Sequence, residues 1–183
     1  MPANPPENAQ SGDNLEFRRP TAEVGYLLNR LVADSPPLDP NSIYCNLLQA
    51  SHFADTAVAV FDGDRLVGFV SGYILPNKPD TLFVWQIVIA RAARGKGLAK
   101  RMLKHLLARE ACAGVRYIET TITSDNEASW GLFRSLARDL DTELESEVFF
   151  EKEAHFGGEH DDEHLLVIGP FNVERSDRAS VQY

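Results

Sequence analysis

The chain has 183 residues, 44% of them hydrophobic and 25% charged, a composition typical of a soluble globular protein. No apolar run approaches the roughly 20 residues that span a bilayer, and a net charge of −9 argues against nucleic acid as a partner, because that binding depends on clustered Lys and Arg. Cys45 and Cys112 are the only cysteines. They indicate neither a disulfide scaffold nor a zinc site, and they favour a reducing cytoplasm.

One domain is expected between two short tails. Residues 1–14 are rich in Pro, Asn, Ser and Gly, which is typical of a disordered terminus. This segment has neither a basic head nor an apolar stretch, so it is not expected to be an export signal. Residues 15–170 are long enough to bury a substantial core, and residues 171–183 form the predicted C-terminal tail.

The spacing of apolar residues predicts strands and helices along residues 15–170. A strand at Leu15–Arg18 is followed by a helix starting near Pro20 and by a second helix capped by Asn41 or Ser42. The polar stretch 151–164 is expected to be either part of a substrate site or a mobile loop. The order of predicted strands and helices along the chain implies an α/β fold, in which a mixed sheet carries helices on both faces. The later elements are predicted as strands at 56–61, 66–75 and about 81–89, a helix from 98 to Gly114, a strand at 115–122, a helix after 124–126, and strands at 148–150 and 165–168.

The segment Ile87–Leu103 is the most informative stretch. An apolar strand leads into a cationic glycine turn that opens directly into an amphipathic helix. The start of a helix presents unpaired N–H groups and the positive end of the helix dipole. Gly95 and Gly97 let the backbone approach a ligand closely, and Arg94 and Lys96 add positive charge. On an acidic chain, this local basic site predicts a small phosphorylated ligand.

Two common phosphate-binding patterns fit this turn poorly. A Walker loop ends in Gly-Lys followed by Ser or Thr, which the residues from Gly95 to Lys100 do not supply. A dinucleotide-binding fingerprint needs a third glycine where Lys100 stands, although Glu119 partly fits its acidic position. That fingerprint is also expected near the first strand, not midway along the chain.

A third pattern matches at every position. It consists of Gln or Arg, then x-x-Gly-x-Gly/Ala, and here it reads Arg94-Gly95-Lys96-Gly97-Leu98-Ala99. The stretch from Asn126 to Phe133 similarly resembles the Asn-x-x-Ala/Ser-x-x-Leu/Phe-Tyr/Phe run of the following helix. With both motifs and this order of elements, the chain resembles the GCN5-related N-acetyltransferases (GNAT). The resemblance implies the GNAT acyl-CoA N-acyltransferase fold, a central mixed, mostly antiparallel sheet flanked by helices.

The resemblance implies acetyl-CoA as co-substrate, held where the fourth and fifth strands separate. The backbones of Ile87 and Ile89 would pair with the pantetheine arm as an added strand would. Asn126 and Ser129 would lie near the pantetheine or thiol end. The pyrophosphate would be bound by backbone N–H groups of Arg94, Gly95, Lys96, Gly97, Leu98 and Ala99.

Acetyl transfer to an amine needs a base, because an alkylammonium has a pKa of about 10 and must lose a proton before it attacks. In the family, the acid that protonates the leaving thiolate is often a tyrosine at the position of Phe133, whose ring cannot donate. Phe133 is therefore expected to be a wall of the acetyl pocket. Tyr117, Tyr44, the ammonium product and unassisted departure remain open as alternatives. Cys112 is a poor candidate for an acyl-carrying nucleophile, since no His partner is evident.

Three further stretches, 38–48, 83–87 and 155–164, resemble the diaminobutyrate acetyltransferases of ectoine biosynthesis. This resemblance implies direct transfer to the γ-amine of L-2,4-diaminobutyrate in a ternary complex, and a homodimer. A substrate with two ammonium groups requires carboxylates around it. Glu163 is the preferred base for removing the proton from the reacting amine, and His160 is the second choice. The expected substrate-binding residues are Asp39, Tyr44, Trp85 and Thr121, with Thr120 as an alternative to Thr121.

Other interpretations remain open. The acceptor could be another small amine or a protein N-terminus, or the chain could be a non-catalytic acyl-CoA-binding domain. Asp39 could simply shape the turn before Pro40, and a Trp such as Trp85 is a core residue in most central strands. The spacing within the stretch 159–164 matches no standard metal site, so no metal is expected.

Overall fold

The computed structural model describes residues 15–36, 38 and 41–172. The candidate Asp39, the predicted tail 1–14 and most of the predicted tail 171–183 lie outside the described residues. Phe171 is buried, and its backbone N–H donates to the carbonyl of Arg116 at 3.0 Å. Packing against the sheet therefore continues at least to Phe171.

The described strands are β1 Leu15–Arg18, β2 Ala57–Asp62, β3 Arg65–Leu75, β4 Lys78–Ile89, β5 Tyr117–Thr123, β6 Leu144–Phe150 and β7 Glu163–Ile168. They form one seven-stranded sheet in the order β1-β2-β3-β4-β5-β7-β6. Neighbours are antiparallel except for β4 and β5, which run parallel. The predicted mixed, mostly antiparallel α/β architecture is confirmed, although β6 begins four residues earlier than the predicted strand at 148–150.

The described α-helices are α1 Val24–Ala33, α2 Ile43–Ser51, α3 Leu98–Leu107, α4 Glu127–Asp139 and α5 Lys152–Phe156. Ser42 caps α2 as predicted, because its hydroxyl accepts from the N–H of Cys45 at 3.1 Å. The short helix α5 lies within the polar stretch 151–164, which the sequence predicts to be either part of a substrate site or a mobile loop. In the described ranges, none of the helices combines the length and the apolar character required to cross a bilayer.

The prediction that α3 continues to Gly114 is wrong, since the helix ends at Leu107. Two residues later, Arg109 takes an extended conformation with ψ 153°. Its buried guanidinium donates to the carbonyl of Ala54 at 3.2 Å, which draws the chain away from the helix axis. Cys112 consequently lies in a short 3-10 turn, buried among apolar side chains.

The two faces of the sheet carry separate hydrophobic clusters. Along β2, Val58 and Val60 join one cluster while Ala57 and Ala59 join the other, as the alternation of a strand requires. The larger cluster packs α3 and α4 against the sheet, and the smaller packs α1 and α2. These faces are called the α3–α4 face and the α1–α2 face below.

Candidate active site

The parallel pair β4 and β5 is joined over three residue pairs and then opens into a gap. The last pair is Phe83 with Glu119. One residue farther, the Thr120 hydroxyl donates to the carbonyl of Val84 at 3.0 Å and closes the inner end of the gap. Beyond this point, β4 continues to Ile89 with no strand of the described chain beside it on this edge.

The backbone of β4 presents hydrogen-bonding groups to the gap. The N–H of Ala90 donates to the carbonyl of Val67 at 2.8 Å and therefore faces β3. Successive residues of a strand turn their N–H and C=O groups to opposite edges, so those of Ile89 and Ile87 face the gap. This orientation is the one that the predicted pairing of Ile87 and Ile89 with an extended ligand requires.

The glycine turn lies at the outer end of the gap, directly before α3. Gly95 and Gly97 have φ angles of 77° and 69°. A β-carbon on either would meet no atom within 4 Å, so the left-handed backbone and not a lack of space requires glycine here. The first helical hydrogen bond joins the N–H of Arg101 to the carbonyl of Gly97 at 3.2 Å. The N–H groups of Leu98 and Ala99 precede it and point out of the helix end, as an anion site needs.

Arg94 and Lys96 place positive charge beside this turn, and both are exposed. The Nε of Arg94 donates to the carbonyl of Ile89 at 3.0 Å. This bond fixes the guanidinium at the open end of β4, between the gap and the turn. Together with the helix end, the two cations make the turn suited to the pyrophosphate of a nucleotide cofactor.

Asp139 of α4 holds α3 in place. It binds Lys100 at 3.0 Å and Lys104 at 2.7 Å, and the hydrogen bond from Lys104, followed by that from Lys100, lowers the pKa of its carboxyl. At the other end of α4, Asn126 accepts from the N–H of Ser129 at 3.1 Å and caps the helix. The contact of Asn126 and Ser129 with pantetheine stays a prediction.

A β-bulge in β4 redirects Trp85. Ser71 of β3 pairs with Gln86 and Gly72 pairs with Val84, so Trp85 is the extra residue between them. Val84 belongs to the cluster on the α3–α4 face, whereas Gln86 bonds to Asn41 beside α2. Bulges are frequent beside active sites, where they change the direction of a side chain.

Trp85 is an accessible aromatic wall on the α1–α2 face. Its ring centroid lies 6.0 Å from that of Phe53, which follows α2, and 6.3 Å from that of Tyr73. The residue is 42% exposed, which argues against the interpretation of Trp85 as an ordinary core residue. Tyr44, in the first turn of α2, is 70% exposed, and its role in binding stays a prediction.

Glu163 and His160 lie together at the start of β7. The Oε1 of Glu163 is 3.8 Å from the Nε2 of His160, and the Glu163 side chain is only 18% exposed. Leu166 belongs to the cluster on the α3–α4 face. By strand alternation, Glu163 points to the opposite face, which is also the face of Trp85. The structure thus places the preferred base on the face that carries the aromatic wall.

The segment that carries His160 is joined by hydrogen bonds of its own. The backbone N–H of Lys152 donates to Asp162 at 2.6 Å. The Lys152 ammonium binds Asp161 at 3.0 Å, and this hydrogen bond lowers the pKa of the Asp161 carboxyl. The His160 ring packs on Phe156 with centroids 4.7 Å apart. Across the described residues, no group of three or more His, Cys, Asp or Glu side chains is placed to hold a metal ion.

Thr121 and Phe133 lie on opposite faces of the sheet. Ile122 joins the α3–α4 cluster, so Thr121 points to the α1–α2 face as Glu163 does. The hydroxyl of Thr120 already donates to Val84, which leaves Thr121 as the better candidate for contact with substrate. Phe133 is buried in the cluster on the α3–α4 face, and its predicted contact with the acetyl group stays a prediction.

The sequence interpretation missed a buried polar layer between α2 and the bulge. Ser71 donates to Gln49 at 2.5 Å, and Asn41 donates to Gln86 at 3.2 Å. Asn46 is also fully buried in this layer. The available signal was the i, i+3 spacing of Asn46 and Gln49, which puts two amides on one side of α2.

Comparisons with known proteins place the chain in a family. A sequence profile described as the acetyltransferase (GNAT) family matches residues 26–137. The chain is 58% identical over 159 residues to the L-2,4-diaminobutyric acid acetyltransferase of Methylotuvimicrobium alcaliphilum, covering 87% of this chain and 92% of that protein. It is 50% identical over 152 residues to the enzyme of the same name from Vibrio cholerae, covering 83% of this chain and 88% of that protein.

Solved structures show the same fold. The diaminobutyrate acetyltransferase EctA from Paenibacillus lautus, in complex with L-2,4-diaminobutyric acid and coenzyme A, matches with a TM-score of 0.83 and 40% identity, covering 87% of this chain and 97% of that one. The ribosomal-protein-S18-alanine N-acetyltransferase from Escherichia coli matches with a TM-score of 0.67 over 92% of this chain and 99% of that one. At 11% identity, the second likeness shows the fold alone.

Proposed function

We propose that this chain, which belongs to the acetyltransferase (GNAT) family, transfers the acetyl group of acetyl-CoA to the γ-amine of L-2,4-diaminobutyrate. The relatives at 58% and 50% identity are named for this substrate, and the matching EctA structure holds both the substrate and coenzyme A. The reaction is a step of ectoine biosynthesis.

The observation that carries the proposal is the gap between β4 and β5, which leads to the glycine turn. An extended pantetheine arm would add to the open edge of β4 through Ile87 and Ile89. The pyrophosphate would meet the N–H groups of residues 94–99, with Arg94 fixed beside them by its bond to Ile89. The thioester would then lie near the inner end of the gap, where Thr120 closes it.

The acceptor would approach from the α1–α2 face. Trp85 supplies an exposed wall there, and Thr121 and Glu163 point to the same side of the sheet. Tyr44, in the first turn of α2, and Asp39, which lies outside the described residues, are the remaining proposed substrate contacts. Carboxylates at Glu163 and Asp39 would suit a substrate with two ammonium groups.

The chemistry requires one proton to leave before the new bond forms. Glu163, with His160 3.8 Å away, would take this proton from the γ-ammonium. The free amine attacks the thioester carbonyl, and a backbone N–H of β4 at the gap would stabilise the negative charge that develops on oxygen. The C–S bond then breaks, the acetyl group remains on nitrogen, and the thiolate receives a proton. Tyr44, Tyr117 and the ammonium product are the alternatives for that proton, since Phe133 cannot donate.

The proposal includes a cytoplasmic homodimer. β6 is an edge strand, and its Val148, Phe149 and Phe150 side chains are exposed. An exposed apolar edge strand is a frequent site of protein association, which supports a second copy as partner. A chain with only two cysteines, Cys45 and Cys112, fits a reducing compartment.

A substrate panel tests the function directly. Purified protein is given acetyl-CoA with diaminobutyrate, ornithine, lysine or an alanine-terminated peptide, and release of the free thiol is followed. We expect diaminobutyrate to give the highest kcat/KM, with acetylation at the γ-nitrogen as located by NMR of the product. Thiol release with another amine but not with diaminobutyrate would overturn the assignment. Coenzyme A binding without turnover of any amine would favour a non-catalytic domain.

A further inference from the structure

Asn46, the fourth residue of α2, is a fully buried amide. Neither its Nδ2 nor its Oδ1 has a hydrogen-bond partner among the residues that the structure describes. Leaving buried polar atoms unpaired is costly, and folded proteins do so rarely. A side chain with both amide atoms in this state therefore requires an explanation.

The neighbouring polar side chains of the buried layer have hydrogen-bond partners, so within this layer the unpaired state is particular to Asn46. Gln49, one turn farther along α2, accepts from Ser71 of β3. Ser71 is in turn opposite Gln86 in the sheet, and Gln86 accepts from Asn41. Asn46 shares the buried side of α2 with Gln49 and therefore faces the sheet close to the bulge at residue 85.

An amide offers a donor and an acceptor in one group, and it neither gains nor loses a proton near neutral pH. It is therefore suited to hold the non-reacting end of an amino acid, where a carboxylate accepts and an ammonium donates. We propose that Asn46 binds the amino-acid end of diaminobutyrate, with Nδ2 donating to the α-carboxylate and Oδ1 accepting from the α-ammonium. This inference rests on the proposed function.

Contact with the substrate requires the first turn of α2 to move outward slightly, since Asn46 is covered in this structure. Ile43 and Tyr44 of that turn are 48% and 70% exposed, so their side chains have limited packing to lose. The reacting γ-amine would remain beside Trp85 and Glu163. Asn46 would thus select for the carboxylate-bearing substrate without taking part in the proton transfer.

Substitution Asn46→Leu tests the proposal, because Leu has a similar size but no polar atoms. We expect kcat/KM with diaminobutyrate to fall roughly ten- to a hundredfold, the loss typical of hydrogen bonds to charged groups. The comparison substrate is 1,3-diaminopropane, which is diaminobutyrate without its carboxylate. The preference for diaminobutyrate over 1,3-diaminopropane should fall about tenfold, since only the carboxylate contact differs between the two. Dissociation constants of both amines, measured by calorimetry with coenzyme A present, give the same ratio independently of turnover.

Thermal unfolding distinguishes binding from a structural role. Asn46→Leu should raise the Tm or leave it unchanged, since it removes two unpaired buried atoms. Gln49→Leu, the matched control, breaks the bond with Ser71 and should lower the Tm. An unchanged preference between the two amines, or a Tm loss in Asn46→Leu as large as in Gln49→Leu, would overturn the inference. Failure of the wild-type protein to acetylate diaminobutyrate would instead overturn the proposed function.

Discussion

The Glu163 carboxylate and the His160 imidazole lie together at the start of β7, where Glu163 points to the α1–α2 face. Their 3.8 Å separation exceeds a direct hydrogen bond and suits a bridging water or a small adjustment on binding. Glu163 is mostly buried while His160 is more exposed, so a proton taken by the former can pass outward through the latter. This geometry favours Glu163 as the base.

Substitution Glu163→Gln preserves the shape of the side chain and removes its ability to accept a proton. We expect kcat to fall roughly 10²- to 10⁴-fold, the usual contribution of a general base, with the dissociation constant for acetyl-CoA unchanged. Steady-state kinetics measures kcat, and calorimetry measures the dissociation constant for acetyl-CoA. Glu159→Gln, in the exposed turn nearby, is the control and should leave turnover intact. Normal turnover in Glu163→Gln would remove Glu163 as the base.

His105, on α3, predicts a pH dependence of stability. Burial, with the charge of Arg109 second, lowers the pKa of His105 from 6.5 to about 4. The unfolded chain therefore binds this proton at a higher pH than the folded chain does. The contribution of His105 to the free energy of unfolding therefore has its full value above about pH 6.5 and falls as the pH drops from 6.5 towards 4.

Substitution His105→Phe should flatten this dependence, because Phe keeps the ring contact with Phe17 but does not titrate. Chemical denaturation at several pH values between 5 and 7 measures the slope of the unfolding free energy. A slope equal to that of the wild-type protein would show that His105 is not its source.

At the scale of elements, the glycine turn and the helix caps were predictable because they depend on neighbouring residues. Ser42 and Asn126 cap α2 and α4 as their sequence positions indicate. The bulge at Trp85 was not predictable, since it arises from pairing with β3, which the local pattern does not encode. The end of α3 likewise depends on a distant bond from Arg109 to Ala54.

Substitution by alanine should have opposite effects at Gly97 of the glycine turn and at Gly131 of α4. Gly97→Ala places a side chain at φ 69° and should lower the unfolding free energy by about 1–2 kcal/mol, while also weakening acetyl-CoA binding. Gly131→Ala lies inside α4 with no atom near its new β-carbon, and should raise that free energy by about 0.5–1 kcal/mol. Denaturant titration measures both. Equal effects would show that backbone conformation is not the reason for Gly97.

At the scale of the whole molecule, the sheet separates the two helical layers and ends in the apolar edge of β6. If a second copy covers this edge, Phe149→Lys should convert the dimer to a monomer, because it buries a charge at the interface. Sedimentation velocity measures the change. Tyr26→Lys, on exposed α1, is the matched control and should leave the dimer intact. A dimer that persists in Phe149→Lys would place the interface elsewhere.

The short parallel pairing of β4 with β5 affects how well the backbone amides of the sheet are protected. Where the strands part, the amides of Ile87 and Ile89 lack a neighbouring strand of the described chain, and a bound acyl-CoA would take its place. Deuterium should therefore enter these two amides quickly in the free enzyme and slowly in the loaded one. The melting midpoint should also climb with the logarithm of acetyl-CoA concentration. The acetyl donor would then act as a removable eighth strand, and the cell's supply of it would set the rigidity of the enzyme.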